Sequence, residues 1–409
     1  MSLTSRRRFI EFAGSTLATL GLNSVNLLPK FDRYGKVLAQ STPRKLALLV
    51  GINQYQKDPL NGCVNDVRMQ QLLLIHRFGF NPQDILILTD KQATRQGILE
   101  AFEEHLIKQA KPGDVAVFHY SGHGSRVLDP NPIPLKSPIV DGTGLNGTFV
   151  PVDSSLPAGY RNVGGTVDDI MGHTLFLLMS AIQTEYFTAV LDSCFSGLKT
   201  RDFQVRSRDG GEKIEISPKE KAYQEQWLSR LDMSPEEFVQ GYQKGVAKGV
   251  VLASAQPSQT AKDVKILDFH VGIFSYLLTQ YLWQNTGTPK DIIAHTNEII
   301  PRKLTQNPLY EAKIDSGYEN QPLYFIENPS PVANAVITEI QGNKAQVWLG
   351  GLTTEEKAQL KPGTVLSVVN SQPNSSGKAI FQSREGLVGI VTVEENIEVG
   401  TLLFLSRQN

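Results

Sequence analysis

The sequence predicts an α/β fold: a mainly parallel sheet flanked by helices, plus a small C-terminal all-β domain. Three observations predict it. Continuous apolar runs such as "KLALLV", "DILILT", "AVFHYS" and "FTAVLD" lack polar alternation, as expected of strands buried on both faces. Amphipathic stretches long enough for helices lie between them, which implies right-handed crossovers and helices on both sides of the sheet. After about residue 330 the helical stretches give way to short apolar runs separated by turns.

Taken in order, the run from Lys45 is the first strand, and "NDVRMQQLLLIHRFGF" is an amphipathic helix with Gly79 near its end. "DILILTD" is the second strand. "TRQGILEAFEEHLIKQA" is a helix with Thr94 as its cap. "GDVAVFHYSGHG", "YFTAVLDSCFSG" and "GVVLASA" supply three more strands, and "FSYLLTQYLW" and "DIIAHTNEII" two later helices. Two segments interrupt this order. Residues 126–166 are rich in Pro, Gly and Asp and read as a surface loop. Residues 198–248 are polar and highly charged, either a solvated insertion or a linker cut at a basic residue; Ser217 and Ser234, each followed by proline, read as helix starts within it. "PSPVANAV" is a junction, and "AVITEI", "KAQVWL", "TVLSVV", "GLVGIVTV" and "TLLFL" are short strands of the domain expected over 331–409.

The chain has 409 residues, room for two or three domains. Its 40 basic and 41 acidic residues leave a formal charge of −1, which gives no reason to expect nucleic acid as partner. Two cysteines, Cys63 and Cys194, exclude a disulfide scaffold and a Cys-rich zinc site. The stretch "SRRRFIEFAGSTLATLGL" is too short and too polar to span a bilayer stably. It resembles a twin-arginine export signal over residues 1–39, with Arg6 and Arg7 as the pair and cleavage after Ala39. The protein is therefore expected to be exported to the periplasm or a lumen; a frayed basic N-terminus on a cytoplasmic protein is the other reading.

In an open parallel sheet, ligands bind at the carboxyl ends of the strands. His123 lies just past one such end and Cys194 just past another, so two apolar runs deliver an imidazole and a thiol to the same edge. Both are flanked by glycine (Gly122, Gly124, Gly197), which lets the backbone turn sharply beside a ligand. His119, two residues before Ser121 and inside its strand, reads as a packed histidine.

"HYSGHGS" together with "LDSCFSG" resembles the caspase-like cysteine peptidases, and more narrowly the metacaspases and their bacterial relatives, the orthocaspases. The resemblance covers residues 45–326. It implies a caspase-like sheet and peptide-bond hydrolysis by a Cys–His dyad: Cys194 as nucleophile, His123 as the group that protonates the leaving amine, and the N–H groups of Gly124 and Cys194 as oxyanion donors. It maps the primary substrate pocket onto Cys63, Asp66, Ser121 and Asp192. Two carboxylates there would be satisfied by a guanidinium or ammonium, so the expected substrates are proteins and peptides with Arg or Lys before the scissile bond. From the residues alone, Asp66 reads equally as a helix cap and Asp192 as a strand-end turn residue.

The resemblance also implies a Ca2+ site mapped onto Asp153, Asp168, Asp169 and Asp202. The sequence departs from the family at the last position, where Arg201 stands in the matching place with Asp202 next to it. "VDD" before an apolar helix also reads as an N-terminal cap. Self-cleavage within 198–248 is implied as well, with Arg201, Arg206, Arg208 and Lys213 as candidate positions, and a monomer is expected. The rival reading is a catalytically silent caspase-like scaffold that binds peptides through the same pocket.

Overall fold

A computed structural model describes residues 43–133, 144–194, 204–369, 377–394 and 397–406. The N-terminal stretch expected to be an export signal lies outside the described residues, as do Gly197, Arg201 and Asp202.

The central sheet has six strands: β1 (Lys45–Gly51), β2 (Ile85–Thr89), β3 (Val115–Ser121), β8 (Tyr186–Asp192), β11 (Val250–Ala253) and β14 (Leu309–Ala312), in the order β14-β11-β8-β3-β1-β2. All pair in parallel except the edge strand β14. Side-chain alternation along the strands divides the interior in two. Ala47, Leu49, Val115, Val117 and Val190 face one core, shared with helices Cys63–His76, Ile273–Gln284 and Pro289–Ile299. Leu46, Leu48, Ala116, Phe118, Ala189 and Leu191 face the other, shared with Ile98, Phe102, Leu177 and Trp227. Both faces are covered, which is why these strands carry no polar alternation.

Two corrections to the sequence reading concern the interruptions. Residues 126–166 are not simply a surface loop. With neighbouring residues they supply β4 (Gly124–Leu128), β5 (Leu145–Phe149) and β6 (Gly165–Val167). These join β7 (Ile170–Met171) and β10 (Gly211–Ile216) in a second sheet ordered β6-β10-β4-β5-β7. The strands are short, and the buried positions Val127, Thr148 and Phe149 are outnumbered by turn residues, which masked the pattern. Nor is the charged insertion simply solvated. Arg206, Ser207, Ile214, Ile216 and Glu220 are buried, because neighbouring carboxylates, hydroxyls and cations supply partners for the charges. Helices Pro218–Arg230 and Pro235–Gln243 start where Ser217 and Ser234 indicated, the second with a full capping box to Glu237.

A third sheet joins β9 (Gln204–Val205), β12 (Lys262–Ile266) and β13 (Phe269–Gly272). The C-terminal part is a closed barrel ordered β15-β16-β19-β18-β17-β20, from β15 (Ala335–Gln341), β16 (Lys344–Trp348), β17 (Val365–Val368), β18 (Lys378–Glu385), β19 (Val388–Val393) and β20 (Leu402–Leu405). It has its own apolar core, including Ile337, Val347, Phe381 and Leu403. It meets the rest of the chain through Val336, Trp348 and Leu387, which pack into the first core, through Gln280 Nε2, which donates to the Leu352 carbonyl at 2.6 Å, and through Asp268 at the β12–β13 turn, whose carboxylate receives Arg384 Nη1 at 2.6 Å and Gly386 N at 3.0 Å.

Candidate functional site

The site forms at the carboxyl edge of the central sheet, where β3 and β8 run side by side with Ser121 opposite Asp192. His123 and Cys194 follow those residues, both almost wholly buried. Each emerges from a strand whose every other position is locked in a core, so their backbones are held rather than loosely looped.

His123 is fixed from several sides. Its backbone N–H donates to Tyr55 Oη at 2.9 Å, and its carbonyl accepts from Tyr120 Oη at 2.9 Å and from Val150 N at 3.0 Å. The ring lies 4.5 Å from the Tyr55 ring, centroid to centroid. Nε2 is 2.7 Å from the Asp58 carbonyl. A carbonyl only accepts, so Nε2 carries the hydrogen and Nδ1 keeps a lone pair. That Nδ1 is buried without a protein partner. Asp58 presents its carbonyl from a left-handed conformation, φ +53°, uncommon for a residue with a side chain. Burial pulls the His123 pKa down to about 4, with the Asp58 contact opposing, so the ring is neutral at pH 7.

Burial pushes the Cys194 thiol up to about 12, with a backbone hydrogen bond at Ala261, Lys262 and the Ser207 hydroxyl opposing. No hydrogen bond joins Cys194 to His123 in this arrangement. Their backbones do converge: the N–H of Gly124, at 3.0 Å, and the N–H of Cys194, at 3.2 Å, donate to one oxygen, the carbonyl of Arg206.

The Arg206 side chain runs from that carbonyl into the pocket. Nη1 lies 2.7 Å from Asp66 Oδ2, 3.2 Å from Asp192 Oδ2 and 2.6 Å from Ser121 Oγ; Nη2 lies 3.7 Å from Asp263 Oδ2. Each acid is held by a backbone donor of its own. Asp66 accepts from Gly272 N at 3.0 Å, Asp192 from Ser275 N at 3.1 Å, and Asp263 from Asn61 N and Gly62 N at 3.1 and 2.9 Å. Ser121 Oγ also donates to Asp66 Oδ2 at 2.6 Å, and Cys63 lies buried nearby, its thiol raised by burial. Burial works against the Arg206 charge, but the surrounding carboxylates outweigh it and raise the pKa above the ordinary value. Asp66 is pushed up to about 7 by burial, with Arg206 opposing. A Cβ on Gly272 would collide with the Asp192 carboxylate and the Arg206 guanidinium, so this position requires glycine.

On the N-terminal side of Arg206 the segment is bound as an extra strand. Val205 and Gln204 pair antiparallel with Lys262 and Asp263, and Arg206 N donates to the Ala261 carbonyl at 3.0 Å. The Gln204 amide contacts Pro59 and accepts from Asn61 Nδ2 at 2.9 Å. On the other side Ser207 bridges Gly124, and Arg208 N donates to the Gly124 carbonyl at 2.8 Å.

The structure thus brings together His123, Gly124 and Cys194 on one side and Cys63, Asp66, Ser121 and Asp192 on the other. The reading of Asp66 as a helix cap is only partly apt: it lies in the first turn of helix Cys63–His76, but both its oxygens serve the pocket. Asp263, Asp58, Tyr55, Gly272 and Ser275 were missed. Asp263 had a signal, as the acid that ends the stretch "ASAQPSQTAKD", and it is the second residue of β12. Asp58 contributes only a carbonyl, and no residue type announces that. His119 is fully buried in β3, both ring nitrogens without partners, and burial lowers its pKa to about 4.

The acids expected to hold calcium are not brought together. Asp153 Oδ1 accepts from Arg95 N at 2.8 Å, at the start of helix Arg95–Ala101. Asp168 Oδ2 pairs with Lys219 Nζ at 3.1 Å. Asp169 is fully buried, with Oδ1 taken by Ser154 Oγ and Oδ2 by Thr148 Oγ1 and Arg208 Nη2, each at 2.6 Å. Among the described residues no group of three His, Cys, Asp or Glu side chains is disposed to hold a metal ion. The buried carboxylate of Asp169 has an arginine and two hydroxyls as partners, and Asp202, the fourth acid of the expected set, lies outside the described residues.

A sheet edge that presents a thiol, an imidazole with a free lone pair, two converging N–H donors and an anionic pocket defines a cysteine-peptidase type of site. Residues 45–201, the part of the chain that carries His123 and Cys194, match the family model for the metacaspase, peptidase C14 domain. Metacaspase-1 of Sclerotinia sclerotiorum is 37% identical over 177 residues, 41% of this chain and 36% of that protein. Metacaspase-1 of Ajellomyces capsulatus is 35% identical over 171 residues, 40% of this chain and 44% of that protein. The chain therefore spans less than half the length of these relatives. Among solved structures, protein GSU0716 of Geobacter sulfurreducens aligns with a TM-score of 0.46 at 19% identity, over 70% of this chain and all of that one.

Proposed function

We propose that the protein is a cysteine endopeptidase that cuts after Arg or Lys, and that its first substrate is its own Arg206–Ser207 bond. One observation carries this reading: Arg206 lies across the site as a substrate would, its guanidinium among Asp66, Asp192 and Asp263 and its carbonyl oxygen on the N–H groups of Gly124 and Cys194. Extra-strand pairing of the residues before the bond is a common mode of peptide recognition.

In the proposed reaction the Cys194 sulfur adds to the Arg206 carbonyl carbon, and the thiol proton passes to His123 Nδ1. The developing negative charge on the oxygen is stabilised by the two N–H donors, a contribution worth about 3 kcal/mol per donor in comparable sites. The C–N bond breaks, and the proton on His123 goes to the leaving Ser207 amine. Water, deprotonated by the now neutral His123, hydrolyses the Arg206 thioester, which releases the Arg206 carboxylate and restores the thiol. The proton must move during attack rather than before it, because burial favours a neutral thiol and a neutral imidazole while the segment covers them. Once Arg206 leaves, three buried acids face an empty pocket, and a substrate Arg or Lys compensates them.

The test is incubation of the purified chain, with Cys194→Ala as control, followed by N-terminal sequencing and an assay with a fluorogenic peptide ending in Arg. Expected is a fragment beginning at Ser207, hydrolysis after Arg and Lys only, and neither with Cys194→Ala. Binding of Arg peptides without hydrolysis would instead make the chain a peptide-binding scaffold. Export through the Arg6–Arg7 stretch, and a monomeric state, are part of the same proposal; cell fractionation and sedimentation test them.

A further inference from the structure

We propose that Asp169, with Ser154 and Thr148, forms a binding site for a cationic side chain two residues beyond the scissile bond, and that Arg208 is its built-in occupant. This deepens the peptidase reading and rests on it. If the bond between Arg206 and Ser207 is the one cut, Arg208 is the second residue on the leaving side. Its backbone is set by the N–H to the Gly124 carbonyl, 2.8 Å, on the same residue whose N–H holds the Arg206 carbonyl. Its side chain then points to a carboxylate with no solvent exposure. Arg208 Nη2 lies 2.6 Å from Asp169 Oδ2, and Nη1 lies 3.3 Å from Ser154 Oγ. The Arg208 side chain itself is only 11% exposed.

The recess is built around the acid rather than around the arginine. Asp169 is held by hydroxyls from two separate elements, Thr148 on β5 and Ser154 on the loop beyond it. Those hydroxyls stay when Arg208 is absent, and a buried carboxylate with only neutral partners is a strong demand for a cation. Tyr160 and Arg161 add a second, outer contact to the segment through Asp209, at 2.7 and 2.5 Å. Two arginines two residues apart are thus received by two separate buried acid groups, one on each side of the same peptide bond. The sequence preferred by the site is therefore Arg, a small residue, then Arg or Lys, with the cut after the first. Arg208 acts as a positioning residue that fixes the register of the bond over Cys194.

The experiment has two arms. In the first, self-cutting of the full chain is followed in Arg208→Lys and Arg208→Ala. Alanine is expected to slow the cut at Arg206–Ser207 on the order of tenfold, the worth of one charge-assisted hydrogen bond, and lysine to restore most of it. In the second, Arg208→Ala chains that have completed their slower cut receive quenched peptides of sequence Arg-Ser-Arg and Arg-Ser-Ala. The ratio of kcat/KM values is expected to favour the peptide with the second Arg about tenfold, and to fall to near one when Asp169→Asn is added. A structural ion pair alone would not give a peptide preference. Wild-type cutting rates in Arg208→Ala, or equal rates on the two peptides, would overturn the proposal while leaving the peptidase reading in place. A chain that cuts neither itself nor any Arg peptide would overturn both.

Discussion

Two groups of acids, both legible in the sequence, meet different fates. Asp66 and Asp192, joined by Asp263, converge on one guanidinium. Asp153, Asp168 and Asp169 disperse onto a helix N-terminus, a lysine and an arginine. The difference lies in what fixes each carboxylate. The pocket acids are pinned by backbone N–H groups of Gly272, Ser275, Asn61 and Gly62 and aimed at a common point, so they cannot escape one another and need a cation between them. The second group has separate partners within reach, and each acid takes its own. Acidic residues close in sequence make a cation site only when the backbone forbids them such private solutions.

The largest expected effects come from the pinned group. Arg206→Ala should eliminate the fragment beginning at Ser207, read by mass spectrometry. Asp192→Ala removes a buried anion that holds the guanidinium and the start of helix Ile273–Gln284. It should cost the uncut chain about 3 kcal/mol, read as a lower urea midpoint, and slow hydrolysis after Arg more than a hundredfold. Next comes Gly272→Ala, whose methyl would occupy the space of the guanidinium. It should raise KM for Arg peptides at least tenfold and lower the urea midpoint of the uncut chain.

A smaller effect follows from the buried histidines. His119 and His123 have pKa values lowered by burial to about 4, against 6.5 for the free side chain. Between those values the unfolded chain binds protons that the folded chain refuses. Their contribution to stability is therefore complete above about pH 6.5 and declines as pH falls toward 4. Urea midpoints should drop across this window, and the drop should be shallower in His119→Gln. Least affected should be Lys219→Ala in the dispersed group, because the pair with Asp168 is solvent-exposed; a change under about 0.5 kcal/mol is expected.

Most of the sheet was legible because strands buried on both faces cannot disguise their composition. Five of the six central strands are the apolar runs of the sequence, and the sixth, β14, is a half-buried antiparallel edge whose residues Leu309–Ala312 carry no such signal. The thiol and the imidazole were legible because strand ends point to a common edge, whereas the two pocket acids were named through the resemblance, Asp192 at a strand end and Asp66 in the first turn of helix Cys63–His76. The second sheet was not, since turn residues dominate its short strands. Nor was the burial of Arg206: a charged residue in a charged stretch reads as solvated until the acids that desolvate with it are known. The Asp58 carbonyl stayed hidden because the loop that delivers it is placed by tertiary contacts rather than by local pattern, and Asp263 because the partner strands of β12 are set by tertiary contacts.

The central claim is that Arg206 occupies the pocket as a substrate residue awaiting cleavage. The most direct measurement is the mass of the products formed when the purified full chain is incubated at neutral pH. The account predicts a break between Arg206 and Ser207 that Cys194→Ala abolishes. A chain that hydrolyses Arg peptides yet keeps that bond intact, or breaks first at another basic residue, would contradict it.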